Sequence, residues 1–271
     1  MSRPPGEQAL IDRFSTTYQR LASSETMLEI ERAVCGCDYG CTSWTTREEA
    51  DTAIAQLGLG PGVELLDIGS GSGWPGLYLA KQTGCAVTLS DLPFEGLAIA
   101  QQRAETDGLE YTIAQADGAA LPFKDAAFDA IFHSDVLCCL IEKQKVLESC
   151  RRVIRADGKM VFSVILIAPD LSEADYAIAA DGGPAFIEAD RPYPEMLEQT
   201  GWTISEHIDL NSDYFDAFSK MFELEQANED EMVRVHGVDG AADIFTRRRA
   251  TLIPVERGLL RRELFSVIPA P

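Results

Sequence analysis

Leu10, Phe14, Tyr18 and Leu21, then Met27, Ile30 and Val34, recur at roughly helical intervals, which predicts one or two helices over residues 7–34. A polar, glycine-containing loop from Gly36 to Thr45 follows. Thr46-Arg47-Glu48-Glu49 reads as a capping box opening a helix through about Leu57, stopped by Gly58 and Gly60-Pro61-Gly62. From residue 63 the pattern alternates. Strands are predicted at Val63–Ile68, Ala86–Ser90, Tyr111–Ala114, Phe128–Phe132 and Lys159–Ile167, the last entered through an Ala156-Asp157-Gly158 turn. Helices are predicted between them, from Pro75 to about Gln82, over Glu95–Thr106 and over Glu142–Ile154. Strand, helix, strand at this cadence means a parallel sheet with helices on both faces.

After Pro169 the rhythm changes. Residues 170–200 read as helix or loop, broken at Asp181-Gly182-Gly183-Pro184. Trp202–Leu210 reads as a strand, residues 213–235 as an acidic helix and Arg262–Ile268 as a last strand. The expected fold class is therefore α/β: a Rossmann-like, doubly wound sheet of about seven strands, mostly parallel, finished by a C-terminal antiparallel hairpin. Residues 1–45 are expected to form an N-terminal helical lid. Residues 46–271 would form the main domain, with helical cap insertions at about 170–200 and 211–255.

Composition narrows the partners. Apolar residues make up 46% and charged ones 25%, an ordinary balance for a soluble protein, but the net charge of -21 is not ordinary. So acidic a surface repels phosphate backbones and anionic lipid, which argues against nucleic acid or a membrane as the main partner. The opening stretch MSRPPGEQALIDRF shows no apolar run of the signal-peptide kind, and the longest apolar run, Met160–Ala168, is too short to span a bilayer. Seven cysteines, an odd number, are mixed into strands and helices, as in a reducing cytoplasm. Cys35, Cys37 and Cys41 cluster as CGCDYGC, yet zinc would want a fourth ligand and none lies nearby, so no metal site is expected.

The loop after the first strand carries the chemistry. Gly71-Ser72-Gly73-Trp74-Pro75-Gly76 fits the dinucleotide fingerprint GxGxxG. Asp67-Ile68-Gly69-Ser70-Gly71-Ser72-Gly73 fits an acid-x-Gly-x-Gly-x-Gly loop that holds an adenosine without phosphate. Pro75 removes one of the N–H donors a pyrophosphate would use, and Trp74 crowds the same turn. Asp91 ends the second strand, 24 residues beyond Asp67, where it would accept both ribose hydroxyls; that fits NAD equally well. Asp117 follows the third strand, where an adenine amino group would need an acceptor.

Four stretches in order resemble the class I S-adenosylmethionine-dependent methyltransferases: LLDIGSGSG (65–73), VTLSD (87–91), AQADGAALPFKDAAFDAIF (114–132) and CRRVIRADGKMVF (150–162). A weaker echo lies in YPEMLEQTGW (193–202). The resemblance implies S-adenosylmethionine as cofactor. Asp67 with Gly69, Ser70, Gly71 and Gly73 would hold the methionine end, Asp91 the ribose, Leu92 the adenine face, and Asp117 with Gly118 the adenine edge. Tyr39 and Trp44, in the loop before the first core helix, would close over the sulfonium or an ammonium substrate by cation–π contact.

Methyl transfer from a sulfonium is an in-line displacement, in which alignment and removal of water supply most of the catalysis. A general base is needed only for an acceptor that arrives protonated. The stretch Phe132 to Cys139 resembles that of small-molecule N-methyltransferases acting on phosphoethanolamine or glycine derivatives, where an Asp is followed four residues later by a His. Asp135 matches the Asp, Cys139 stands in place of the His, and His133 is the compensating candidate. The expected activity is methyl transfer to nitrogen, oxygen or carbon of a small molecule, by a cytoplasmic monomer or homodimer. The alternatives are a protein methyltransferase and a non-catalytic S-adenosylmethionine-binding protein. No Asn-Pro-Pro-Tyr-like tetrapeptide for planar amides follows the fourth strand.

Overall fold

In the computed structural model, which describes residues 5–40 and 42–271, the chain opens with helices α1 (Pro5–Ala22) and α2 (Glu25–Cys35). The break between them is capped: the Ser24 hydroxyl accepts from the Met27 N–H at 3.3 Å, satisfying a first-turn donor. Helix α3 (Arg47–Leu57) starts as the capping box requires, with Thr46 Oγ1 accepting from the Glu49 N–H at 3.2 Å. The Glu49 carboxylate instead turns to Arg262. Half of the box is thus diverted to tertiary structure.

The core then runs β1 (Glu64–Ile68), α4 (Gly76–Thr83), β2 (Ala86–Asp91), α5 (Phe94–Asp107), β3 (Tyr111–Gln115), β4 (Phe128–Ser134), α6 (Lys143–Val153) and β5 (Ile154–Ile167). The expected turn at Ala156-Asp157-Gly158 is absorbed into β5, because the chain passes directly from α6 into pairing with β4 through a register irregularity between Phe128 and Ala130. After β5 come α7 (Glu173–Gly182), α8 (Tyr193–Gln199), β6 (Trp202–Asp209), α9 (Asn211–Ala227), α10 (Glu229–His236), α11 (Val238–Glu256) and β7 (Leu260–Pro269). The single acidic helix expected over 213–235 is two helices, and the remainder of the expected 211–255 insertion is a helix of its own, α11, which the apolar pattern does not single out. Its apolar positions do not mark one face, and Pro254 lies inside it.

The seven strands order as β3-β2-β1-β4-β5-β7-β6, parallel through β5, with β7 antiparallel to both β5 and β6. One face packs Leu65, Val87 and Leu89 against Ala53, Leu77 and Leu97 of α3, α4 and α5. The other packs Ile131, Phe162 and Phe265 against Val146, Leu147 and Met196 of α6 and α8. Burial on both faces is why the strands read as near-continuous apolar runs. Across this second face one register level stacks rings from four strands: His133 on Phe162 at 4.7 Å, Phe162 on Phe265 at 5.2 Å, and Phe265 on His207 at 4.2 Å.

A third apolar cluster belongs to the helices alone. Met27 and Ile30 of α2 pack with Phe222, Met232, Ala241 and Phe245 of α9, α10 and α11. The N-terminal helices and the β6–β7 insertion, far apart in sequence, thus share one core above the sheet. Among the described residues no helix is long and apolar enough to cross a membrane.

Candidate active site

Between that helical cap and the C-terminal ends of β1, β2 and β4 lies a cavity of about 610 Å³. Ligands of open α/β sheets sit at this edge, beside the point where strand order reverses. Of the residues singled out in the sequence, Gly69, Ser70, Gly71, Asp91, Leu92, Asp117, Trp44 and Asp135 line it. Asp67, Gly73, Gly118, Tyr39 and His133 do not.

The glycine loop is shaped by close approach. Gly69 has φ +68°, and a Cβ there would lie 2.4 Å from Val136 Cγ2; at Gly71, φ +50°, it would lie 2.8 Å from the Tyr18 hydroxyl. Only glycine lets the loop pass between β4's end and α1. Asp67 is 1% exposed and sits behind the loop, accepting from the Gly76 N–H at 3.1 Å. It braces the start of α4 and does not face the cavity. Burial holds its carboxyl well above the usual carboxylate range, with the Gly76 bond acting the other way. Gly73 packs toward Leu77 of α4, and Gly118 opens the short turn after β3.

Asp91 accepts from the Gly71 N–H at 2.8 Å and the Leu92 N–H at 2.7 Å. Burial pushes its pKa up to about 6, and these two bonds oppose the shift. Asp117 accepts from the Ala119 N–H at 3.0 Å, an N-cap contact, while also lining the cavity. Ser70 lines the cavity with a buried hydroxyl that meets no hydrogen-bond partner among the described residues. A buried orphan hydroxyl beside Asp91 fits a polar ligand at this edge, and an adenosine with an amino-acid tail supplies the matching groups.

The catalytic candidates fare differently. His133 is fully buried, stacked on Phe162, with neither ring nitrogen hydrogen-bonded among the described residues. Burial alone pushes its pKa down to about 3. Strand alternation turns it into the core face with Ile131, away from the cavity. Asp135, at φ +54°, does line the cavity, but its carboxylate accepts from Arg262 Nε at 3.1 Å through both oxygens and from the Ser134 and Ser163 hydroxyls at 3.2 Å. Arg262, 1% exposed on β7, also donates to Glu49 at 2.8 Å, to Ser163 at 3.0 Å and to Thr45 at 3.3 Å. Burial works against the Arg262 charge, and Asp135 with Glu49 outweighs it. Burial raises the Glu49 carboxyl, with Arg262 opposing. Ser134 further bonds Ser43 at 2.8 Å and Thr45, which ties the loop before α3 to the ends of β4, β5 and β7.

Sequence reading missed Arg262, although strand alternation in LLRREL places it on the same side as Leu260 and Leu264, a charge in a buried register. The lid aromatics already carry cations from the protein. The Arg103 guanidinium lies 4.9 Å from the Tyr39 ring, which also packs on Trp74, and Arg248 lies 5.2 Å from Trp44. The loop between them is pinned by buried Glu31, which accepts from the Cys37 thiol and from the Tyr39 and Gly40 N–H groups. Cys35 lines the cavity, and Cys41 lies outside the described residues. Also missed was Tyr18 of α1, buried over Gly71.

The family described as "Methyltransferase domain" matches residues 66–162, from β1 into β5. The methyltransferase GfsG of Streptomyces halstedii is 27% identical over 164 residues, 58% of each chain. A glycine/sarcosine/dimethylglycine N-methyltransferase of Actinopolyspora halophila is 26% identical over 204 residues, 72% of this chain and 35% of that protein. The chain thus spans 58% and 35% of the length of these relatives. In three dimensions the [4+2]-cyclase SpnF aligns over 100% of this chain and 98% of its own at a TM-score of 0.76 and 18% identity, a likeness of fold. Residues 66–162 thus match a methyltransferase domain, and the strand order sets the glycine loop, Asp91 and Asp117 at successive strand ends beside the cavity.

Proposed function

We infer that the protein transfers the methyl group of S-adenosylmethionine to a small-molecule acceptor, at nitrogen, oxygen or carbon, inside the cavity beneath its helical cap. One observation carries this reading: the cofactor-side residues Ser70, Asp91, Leu92 and Asp117 open into the same cavity as the cap helices, whose size suits small molecules. Asp91 would accept from the ribose hydroxyls, Leu92 would lie on the adenine face, and Asp117 would take the adenine amino group. The loop Gly69–Gly71 would hold the methionine end. The bound cofactor supplies an electrophilic methyl group.

The chain's own residues align and desolvate. Residues 5–40 and 42–45 act as the lid, with Tyr18 over the loop and Trp44 at the wall. Asp135 is held by Arg262 and two serine hydroxyls, so it fixes the floor of the acceptor side and does not serve as a proton acceptor. Proximity and exclusion of water then carry the rate.

The test is calorimetric and chemical. S-adenosylhomocysteine should bind saturably, and Asp91→Ala should weaken it about tenfold or more, the effect of losing charge-assisted bonds. A thermal-shift screen of small acceptors with S-adenosylhomocysteine present then selects candidates for turnover. Absence of saturable binding would overturn the reading. Binding without product from any acceptor class would favour a non-catalytic binder.

A further inference from the structure

The cap half of the cavity concentrates positive charge in a protein that carries a net -21. Arg13 and Arg20 of α1 and Arg247 and Arg248 of α11 all line it. Arg247 pairs with Asp243 at 3.0 Å, and Arg248 with Glu225 at 2.8 Å. Of the other lining carboxylates on this side, Glu7 accepts from the Ile141 N–H, Glu31 holds the loop at Cys37–Gly40, and Glu142 pairs with Lys145. Arg13 and Arg20 have no carboxylate partner among the described residues.

All four guanidiniums border the same cavity. Burial lowers the Arg13 pKa, and Arg247 lowers it further, with Cys139 and Asp243 acting the other way. His236, also in the lining, is lowered by burial and then by Arg20, Arg247 and Arg248, with Glu225 opposing. Arg13 and Arg20, without carboxylate partners among the described residues beside two guanidiniums that have them, leave a place for an anion. Around it the lining is apolar and pliable: Leu21, Met27, Ile30, Met221, Met232 and Ile244.

Resting on the methyl-transfer reading, we propose that the acceptor is an amphipathic anion whose carboxylate or phosphate docks on Arg13 and Arg20 while its apolar body lies along the methionine-rich wall. Guanidinium forks match both oxyanions geometrically. Arg13 and Arg20 are only partly covered at the mouth, so the anionic end stays partly hydrated and the reacting end points inward toward the strand edge.

The experiment titrates the full-length protein, loaded with S-adenosylhomocysteine, with octanoate, octyl phosphate, octanol and octylamine by isothermal calorimetry. At least one anion should saturate while octylamine does not, and the two anionic arms separate carboxylate from phosphate. Arg13→Ala and Arg20→Ala should each weaken the anion about tenfold, and lysine at either position should restore part of it. Equal binding of octanol or octylamine, no binding of either anion, or indifference to the double alanine variant would overturn the proposal. S-adenosylhomocysteine affinity, measured alongside, should not change in these variants. Its failure in the unaltered protein would instead count against methyl transfer itself.

Discussion

Removing the Arg262 side chain should cost the fold far more than a typical substitution. The guanidinium sits 3.1 Å from Asp135 and 2.8 Å from Glu49, itself 1% exposed, with the two carboxylates 9% and 12% exposed. At about 3 Å and an effective dielectric near 20, each pair is worth about 5 kcal/mol of attraction, much of it offset by desolvation. Arg262→Met keeps the stem but strands two carboxylates beside each other, and breaking such a buried pair costs about 3–5 kcal/mol. With a urea m-value of about 3 kcal/mol/M, the unfolding midpoint should fall by about 1–1.7 M. The deficit should shrink in acid. Without Arg262 the Glu49 carboxyl, already raised by burial, rises further above its unfolded value. The folded state then binds protons more readily than the unfolded one, so stability falls as pH rises and recovers as pH drops through the folded pKa. The combined variant Arg262→Met/Glu49→Gln/Asp135→Asn should regain most of the loss. A single variant within about 1 kcal/mol of the parent, or a triple variant no better than the single, would refute the reasoning.

Other consequences are as direct. Asp91 titrates near pH 6 without ligand, and a ribose needs its carboxylate form, so S-adenosylhomocysteine affinity should fall about tenfold between about pH 7.5 and about pH 5, a dependence lost in Asp91→Asn; a flat calorimetric profile for the parent would contradict this. Gly69→Ala should destabilise by about 2–4 kcal/mol in urea, from the left-handed backbone and the Val136 contact, and Val136→Ala should recover the contact part. His133 stays neutral in the fold, with its pKa near 3 against an ordinary 6.5, so the folded state binds fewer protons and stability is lost as pH falls below about 6.5. His133→Phe should flatten that acid arm in pH-dependent thermal melts while leaving methyl-transfer rates unchanged; a collapse in rate would restore His133 to the chemistry.

The sheet was legible because its strands are local, apolar and evenly spaced. The loop Gly69–Gly71 and Asp91 announce their edge of the sheet by position alone. What stayed hidden depends on contacts far apart in sequence. The Asp135 site reads as a lone carboxylate until β7 brings Arg262 beside it across 127 positions. His133 looks like a base until alternation turns it into the ring stack with Phe162. Tyr39 and Trp44 look like open aromatic faces until Arg103 and Arg248 cover them. The capping box at Thr46–Glu49 shows the same limit within four residues, since its amide bond forms and its carboxylate is taken by a distant strand.

The insertion of β7 between β5 and β6 sets an order of assembly. β6 is synthesised first, yet its sole sheet neighbour among the described residues is β7, so it waits unpaired while α9, α10 and α11 are made. Only when the closing strand threads into that gap does residue 262 reach Glu49 and Asp135. The nascent chain therefore holds a finished nucleotide edge before the floor beside it exists, and competence waits until β7 has been made.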